Sequence, residues 1–421
     1  MKNISNKKIN ILAAILLIFF IFVFSFSNLF KANKASAAWY ATGGTWNYRK
    51  QITVDPEKVA GASNLTDFPM LFKVTDADLK HTVHGGKMGK IDGTDILFTL
   101  SDGSTKLSHE IEYYSSTTGE MIAWVKIPTL YTSQNTVIYT YFGNSGASDQ
   151  QDRTNVWDAN YKAVWHMANG TTLSGSDSTS NANNLGFGPS TATGAGVTPT
   201  ATSTKIDGGA YFDVVNQYRG GVATSTSALG LGTGARTVSG WFNVKQFLGT
   251  DTNSALLAWQ ASGGNDSFGI FYTDTGGLKL NISNTVAVSS QIGNTTLNTN
   301  TWYYLTAAWD GSNAYLYING VQDSTTALSG SLADSIANLG YFTGSSRAPN
   351  VYMDDIRYSK VARSADWIAT EYNNQSSPST FYSYGGVGVE RRSSSGVALD
   401  DRGASGINWY ATGGTWNYRK Q

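Results

Sequence analysis

The sequence predicts an all-β protein built from two β-sandwich domains. Short alternating apolar runs recur between Gly, Asn and Asp clusters, and long amphipathic helical periods are scarce. The composition joins 45 Gly and 13% aromatic residues to only 7 Pro. At 421 residues the chain has room for two or three domains, each with its own core. One stretch, WYATGGTWNYRKQ, stands at Trp39–Gln51 and again, unchanged, at Trp409–Gln421. Thirteen matched positions are a duplication, and so long a period points to an array of whole domains rather than a solenoid of short repeats.

The N-terminus reads as a secretory signal peptide over residues 1–37. Lys2, Lys7 and Lys8 precede a continuous apolar run from Ile11 to Phe24, and Ala35-Ser36-Ala37 offers small residues for cleavage. The apolar run is short for a membrane span. Five of the 30 Lys and Arg residues lie in this segment and no acidic ones do. Cleavage therefore leaves 25 basic against 30 acidic residues, about −5. No basic cluster suits a phosphate backbone, so nucleic acid is not an expected partner. Cys is absent, which excludes disulfides and places the fold on core size, with a bound metal as the other available support.

Residues 39–160 form the first predicted domain. Trp46, Tyr48, Lys50, Ile52 and Val54 alternate with Asn47, Arg49, Gln51 and Thr53, the pattern of a half-buried strand. Further strands are expected at Phe68–Thr75, Asp95–Leu100, His109–Tyr114, Met121–Ile127 and Thr136–Phe142. Asp102-Gly103 and Thr118-Gly119 supply turns. The series WNYRKQITVD, LTDFPMLFKVTDADL, DILFTLSDGSTKLSHEIEYY, GEMIAWVKIPTL, TVIYTYFGN and VWDANYKAVWHM resembles a secreted prokaryotic domain family of unknown function. Members of that family commonly precede a laminin-G-like sandwich, so the resemblance implies architecture rather than a reaction.

Residues 161–385 form the second. Strands are expected at Tyr161–Met167, Gly209–Val215, Thr237–Val244, Ala255–Gln260, Phe268–Thr273, Leu278–Ile282, Trp302–Trp309, Ala314–Ile318, Leu339–Phe342 and Val351–Tyr358. Asn319-Gly320 suits a hairpin turn with positive φ at both residues. The polar stretch Asn169–Thr204 shows almost no apolar periodicity. One helix is expected: Ser364 as N-cap, Asp366 in its first turn, Trp367, Ile368 and Tyr372 facing inward, and an end near Asn373-Asn374. Thr380–Tyr384 then returns as a strand beside the domain's beginning. The pieces GGAYFDV, RTVSGWFNV, TWYYLTAAWDGSNAYLYINGV and VYMDDIRYSKVARSADWIATEYN resemble the laminin-G-like branch of the concanavalin A-like lectin/glucanase fold. That resemblance implies a jelly roll of two antiparallel sheets with one short helix.

The same resemblance brings glucanases into view, so the carboxylates were weighed. Glucanases of this fold carry a Glu-x-Asp-x-x-Glu strand, which is missing here, and the only Glu in residues 161–385 is Glu371. Asp354 and Asp355 are adjacent on a strand and should point to opposite faces. No Gly-x-Ser-x-Gly elbow or phosphate-binding Gly loop occurs. The expectation is therefore a non-enzyme. The resemblance implies calcium as a possible ligand at the sandwich rim, with Asp177, Asn181 and Asp355 as candidate metal ligands. Trp241, Trp302 and Trp309 fall where the fold places core residues. In the first domain His109 opposes Glu110 and Glu112, which read as a solvated carboxylate face. His81 and His84 lack a third metal ligand nearby. His166 reads as a core or interface residue.

Residues 386–408 mix Gly, Ser and charge and read as a linker. Residues 409–421 read as the truncated start of a second repeat unit. The whole suggests a non-enzymatic secreted or cell-surface protein for adhesion or glycan binding, with extracellular glycans or surface proteins as partners. The alternatives are a filament protein assembling through the repeated strand and, lowest, a glycan hydrolase.

Overall fold

The computed structural model describes residues 39–167, 172–189, 198–216, 219–225, 228–247, 254–260, 267–283, 288–328, 332, 337–340, 349–389, 391–392, 398–399, 410–412 and 415–417. The expected signal segment, residues 1–37, lies outside the described residues. So do parts of the polar stretch, of the linker and of the second copy of the repeat.

The first sandwich is built from β1 (Tyr48–Val54), β2 (Leu65–Thr75), β3 (Leu97–Leu100), β4 (Lys106–Leu107), β5 (His109–Tyr114), β6 (Glu120–Leu130) and β7 (Thr136–Phe142). The second runs through β8 (Tyr161–Trp165), β9 (Leu185–Pro189), β10 (Thr200–Ser203), β11 (Gly208–Phe212), β12 (Val214–Asn216), β13 (Arg219–Ser225) and β14 (Arg236–Gln246). It continues with β15 (Ser254–Gln260), β16 (Ser267–Tyr272), β17 (Gly277–Ser283), β18 (Val288–Thr296), β19 (Trp302–Trp309), β20 (Asn313–Ile318), β21 (Val321–Ala327), β22 (Ala337–Leu339) and β23 (Asn350–Ser359). Helices α1 (Ala365–Ser376) and α2 (Pro378–Phe381) follow, then β24 (Tyr382–Tyr384) and β25 (Gly388–Val389).

In the first sandwich a six-stranded sheet, ordered β24-β1-β7-β3-β4 with β25 also on β1, packs over the three-stranded sheet β2-β6-β5. Phe68, Phe72, Phe98 and Ile138 fill the space between. In the second, the β14 sheet (β10-β11-β23-β14-β19-β20-β21, with β8 on β23) faces the β15 sheet (β12-β13-β22-β15-β16-β17-β18, with β9 on β13). Leu305, Trp309, Leu316, Ile270 and Leu280 lie in their common core. The polar stretch contributes β9 and β10, both short and weakly apolar. Asn319 and Gly320 have φ of 52° and 79°, the turn expected between β20 and β21. A Cβ at Gly320 would stand 3.0 Å from the Ala369 Cα of α1, so the turn fits against the helix only as glycine.

The chain end differs from expectation. Thr380 and Phe381 belong to α2, and β24 joins the first sandwich rather than the second, with Ile52 opposite Tyr384 and Val54 opposite Tyr382. The reason lies in strand edges. β1 needs a neighbour on the side away from β7, and β24 and β25 supply it.

The free edge of β2 is closed by side chains. Asn374 of α1 accepts from the Leu71 amide (2.7 Å) and donates to its carbonyl (3.1 Å). Tyr382 hydroxyl accepts from the Lys73 amide (2.8 Å) and donates to the Lys73 carbonyl (3.1 Å). Together they replace the strand that β2 lacks. Ser364 caps α1 by accepting from the Trp367 amide. Gln375, further along the helix, accepts from Trp241 Nε1 at 2.7 Å. Thus α1 is tied to both sandwiches, and one apolar cluster runs from Phe68 through Trp367 to Trp241 and Tyr304.

Asn374→Ala would leave the Leu71 amide and carbonyl buried without partners. Urea denaturation should show a loss of about 2–3 kcal/mol. A loss below about 0.5 kcal/mol would mean that α1 does not close this edge.

Candidate functional site on the outer face of the β14 sheet

Met353, Ile356 and Tyr358 point into the second sandwich. Tyr352, Asp354, Asp355 and Arg357 therefore lie on the outer face of the β14 sheet. Two successive residues share that face because β23 bulges. Asp354 pairs with Trp241 and Arg357 with Ser239, so Asp355 and Ile356 stand against the single residue Gly240. Asp355 takes φ 50°, in the left-handed region. The expectation that Asp354 and Asp355 point to opposite faces is corrected by this bulge.

One half of the outer face is covered by the first sandwich, and charge is concentrated there. His166 Nδ1 lies 3.2 Å from Asp355 and 3.4 Å from Glu112, and its Nε2 lies 3.6 Å from Glu110. Arg357 meets Asp355 at 2.7 Å and Glu371 at 3.1 Å, and its guanidinium rests 4.3 Å over the Trp124 ring. Glu110 accepts from Trp157 Nε1 (3.1 Å) and Ser178 hydroxyl (2.7 Å). Glu112 accepts from Trp124 Nε1 at 2.7 Å. Glu371 accepts from Tyr161 and Tyr304 hydroxyls at 2.9 and 3.1 Å. Glu112 is itself at a bulge: Ile111 pairs with Ala123 and Tyr113 with Ile122, which leaves Glu112 between them. The solvated carboxylate face expected for β5 is thus a buried one. The second sandwich covers it.

Burial drives the titration of this group. It pushes Glu112 up to about 8, and the neighbouring Asp354 and Asp355 add to the push against the pull of His166. It pushes Asp354 up to about 7 with help from Asp355, although the Ile206 amide donates to Asp354. Burial also disfavours charge on His166, but Glu112, Asp355 and Glu110 outweigh it and raise its pKa well above the usual value. For Asp355 burial is outweighed by Arg357 and His166, and for Glu110 by His166, so both are lowered.

The other half of the outer face is partly open and carries an aromatic row. Tyr211 of β11 stands opposite Tyr352 of β23, Tyr352 opposite Asn243 of β14, and Asn243 opposite Trp302 of β19. Tyr211 and Tyr352 have ring centroids 4.6 Å apart. Trp302 and Tyr352 lie nearly parallel at 27° with centroids 6.4 Å apart across Asn243. All three rings are half-buried. Lys245 Nζ hangs 5.2 Å over Tyr352. Asn243 is buried, and its side-chain oxygen has no hydrogen-bond partner among the described residues. Where the two sandwiches meet, the surface also opens into a cleft of about 460 Å3 lined by Asp67, Asp158, Asn160, Arg363, Ser364 and Trp367 among others.

Two family models match the sequence. Residues 92–168 match a domain of unknown function, DUF2341, and residues 216–369 match the concanavalin A-like lectin/glucanases superfamily. The chain carries a DUF2341 domain followed by a concanavalin A-like domain. Among curated proteins none matches the sequence. Among solved structures, domain 4 of AbnA, an extracellular GH43 arabinanase from Geobacillus stearothermophilus in complex with arabinotriose, is 19% identical. The match covers 52% of this chain and 100% of that one at a TM-score of 0.42. A structure of botulinum neurotoxin type C, described through its interaction with two ganglioside molecules, is 14% identical over 51% of each chain at a TM-score of 0.38.

The candidate metal ligands of the concanavalin A-like domain are not gathered into one set. Asp177 organises its own loop, accepting from the amides of Val164, Thr179 and Asn183 and from the Thr179 hydroxyl. Asn181 donates to the Tyr161 carbonyl and the Thr179 hydroxyl. Asp355 is engaged by Arg357 and His166. Among the described residues no group of three or more His, Cys, Asp or Glu side chains is placed to hold a metal ion. In the DUF2341 domain His109 is buried against Phe98, and burial lowers it to about 4. Trp309 is a core residue as expected, but Trp241 belongs to the seam and Trp302 to the half-buried row. Tyr211, Asn243 and Tyr352 were not singled out in the sequence. Their signal is a position between core residues on three strands (Ala210 and Phe212, Phe242 and Val244, Val351 and Met353), which becomes a row once register is known.

The seam between the DUF2341 and concanavalin A-like domains should respond to pH. Glu112 and Asp354 are raised in the folded protein to about 8 and about 7 from 4.5 and 3.8, so the folded state holds more protons between those values. Their contribution to stability falls as pH rises through that window. His166 has the same sign: its contribution is present below 6.5 and is lost as pH rises through the folded value. Glu110 and Asp355 are lowered, and their contribution is lost only when acid reaches their folded values. Denaturation midpoints should therefore be lower at about pH 8.5 than at about pH 5.5, and Glu112→Gln should shrink the difference. An unchanged difference in the variant would remove Glu112 from this account.

Proposed function

We propose that the protein is a non-enzymatic, secreted or cell-surface binding protein. In this reading the row Tyr211, Tyr352, Asn243 and Trp302 is the seat for a short extracellular oligosaccharide. The in-register row carries the reading. Three aromatic rings set side by side along one sheet face, with Trp302 and Tyr352 nearly parallel and Tyr211 tilted against Tyr352, give apolar platforms for the faces of sugar rings. A half-exposed aromatic strip on an otherwise polar surface is itself a mark of a binding face. The carboxylates of the concanavalin A-like domain support the non-enzymatic part. Asp355 and Glu371 are paired with Arg357, and Asp354 accepts from the Ile206 amide, all three buried, whereas a glycosidase needs two carboxyls flanking a bound sugar. The apolar N-terminal segment supports export, and the covered seam supports a rigid module that presents the row outward.

A glycan array with the chain from Trp39 onward, run with calcium and with chelator, tests the reading. Binding by the parent should weaken about tenfold or more in Trp302→Ala and in Tyr352→Ala, with melting temperature held. Binding that survives both changes would move the site elsewhere. No binding in either condition would end the glycan reading.

A further inference from the structure

The thirteen repeated residues serve neither the seam nor the row, yet their first copy has a built seat. Trp46 is fully buried, and Tyr40, Arg49 and Lys50 are 8, 4 and 5% exposed. Trp39 Nε1 donates to the Trp46 carbonyl at 2.7 Å, and Trp46 Nε1 donates to the Thr42 carbonyl at 2.9 Å, folding the segment into a corner. The Arg49 guanidinium lies 4.7 Å over both the Trp39 and the Tyr139 ring. The Lys50 ammonium meets Asp76 at 2.5 Å and Asp78 at 2.8 Å. Asn47 donates to the Gly143 carbonyl. Tyr139, Gly143, Asp76 and Asp78 lie outside the repeat, so they form a receptor for it.

The strand pairing divides at the end of the repeat. Tyr48 to Gln51 pair with β7, and Tyr48 and Arg49 also pair with Val389 and Gly388 of β25. Ile52 to Val54 lie beyond the repeat and are held between β7 and β24. They can stay in place while Trp39–Gln51 leave. The chain also delivers the second copy to the right place. β25 runs antiparallel to β1 and ends at Val389 opposite Tyr48, heading toward the Trp39 end of the seat. Residues 390–408 then provide up to about 60 Å of extended chain, ample for an antiparallel return. The same sequence already takes two backbone forms. In the second copy Tyr410–Thr412 pairs antiparallel with Thr415–Asn417, whereas residues 40–47 in the seat contain no strand.

We propose that Trp39–Gln51 and Trp409–Gln421 of one chain exchange in this single seat, in the same register, with Ile52–Val54 remaining in the sheet. Each copy carries the same Trp, Tyr, Arg and Lys side chains to Tyr139, Asp76 and Asp78. Contacts therefore do not choose between them, and small differences in linkage set the populations. Occupancy by the second copy releases Trp39–Gln51.

The chain contains no Cys, which allows a direct test. Gln51 faces Tyr139 across β1 and β7, and Gln421 is its counterpart. Full-length Tyr139→Cys/Gln421→Cys should form an intrachain disulfide under mild oxidation, with Tyr139→Cys/Gln51→Cys as the reference for the resident strand. Adding Trp46→Ala should shift the exchange toward the second copy by about a hundredfold or more. Trp46→Ala alone should melt close to the parent, while Trp46→Ala/Trp416→Ala should melt well below it. A 139–421 disulfide that never forms while the reference closes, or equal melting of these two tryptophan variants, would overturn the proposal. A disulfide found only between chains would also overturn it, assigning the seat to a neighbour's strand.

Discussion

Five carboxylates and two cations are buried together where the three-stranded sheet of the first sandwich lies on the β14 sheet: Glu110, Glu112, Asp354, Asp355 and Glu371 with His166 and Arg357. Removing such groups from water costs several kcal/mol per ion unless partners repay it. Much of the architecture serves that repayment. Bulges in β5 and β23 turn Glu112 and Asp355 toward His166. Tryptophans 124 and 157 donate to the two glutamates and lie under Arg357. Helix α1 brings Glu371 to Arg357 and to two buried tyrosine hydroxyls. Excess negative charge is relieved by protons held on Glu112 and Asp354. Two domains joined this way have one allowed docking, since a slide of one residue would leave charges unpaired in an apolar setting.

Much of the fold was legible because its signals are local. The strands His109–Tyr114, Thr136–Phe142 and Trp302–Trp309 follow from alternation, the Asn319-Gly320 turn from its residue pair, and the start of α1 from the Ser364 cap. The seam was not legible, because a bulge inserts one residue and reverses which face every later side chain takes. Alternation read through Asp354 and Asp355 therefore gave opposite faces, and Glu110 and Glu112 read as solvated because nothing in β5 announces its cover. The partner of β24 was equally hidden: the nearest strands in sequence belong to the second sandwich, but the open edge belongs to β1. The aromatic row depends on register among β11, β23, β14 and β19, and residues from four separate segments share no pattern in one dimension.

The outer face of the β14 sheet shows how one surface is divided between two uses. Trp241 and Tyr304 face the same way as Asn243 and Trp302, two residues along on the same strands. The first pair is sealed, with its polar atoms bonded to Gln375, Ser239 and Glu371. On the second pair the cover thins, leaving Trp302 half-buried, and the buried Asn243 oxygen has no partner among the described residues. The seam thus fixes where the row begins.

The closure of β1 by β24 and β25 sets the order in which the protein can complete itself. Ile52 and Tyr384 are paired neighbours in space yet belong to opposite ends of the described chain, so the first sandwich stays open along β1 until the second has been made. Contacts of such separation are slow to form, because the loop entropy is lost before the pairing is gained. The edge of β2 has the same dependence, since Asn374 and Tyr382 arrive with the same segment. During that interval β1 is held on one side only, by β7, and the seat for Trp39–Gln51 lacks β25. A strand held on one side is the one most open to replacement by an identical sequence, and the identical sequence follows the segment that closes the sheet after residues 390–408.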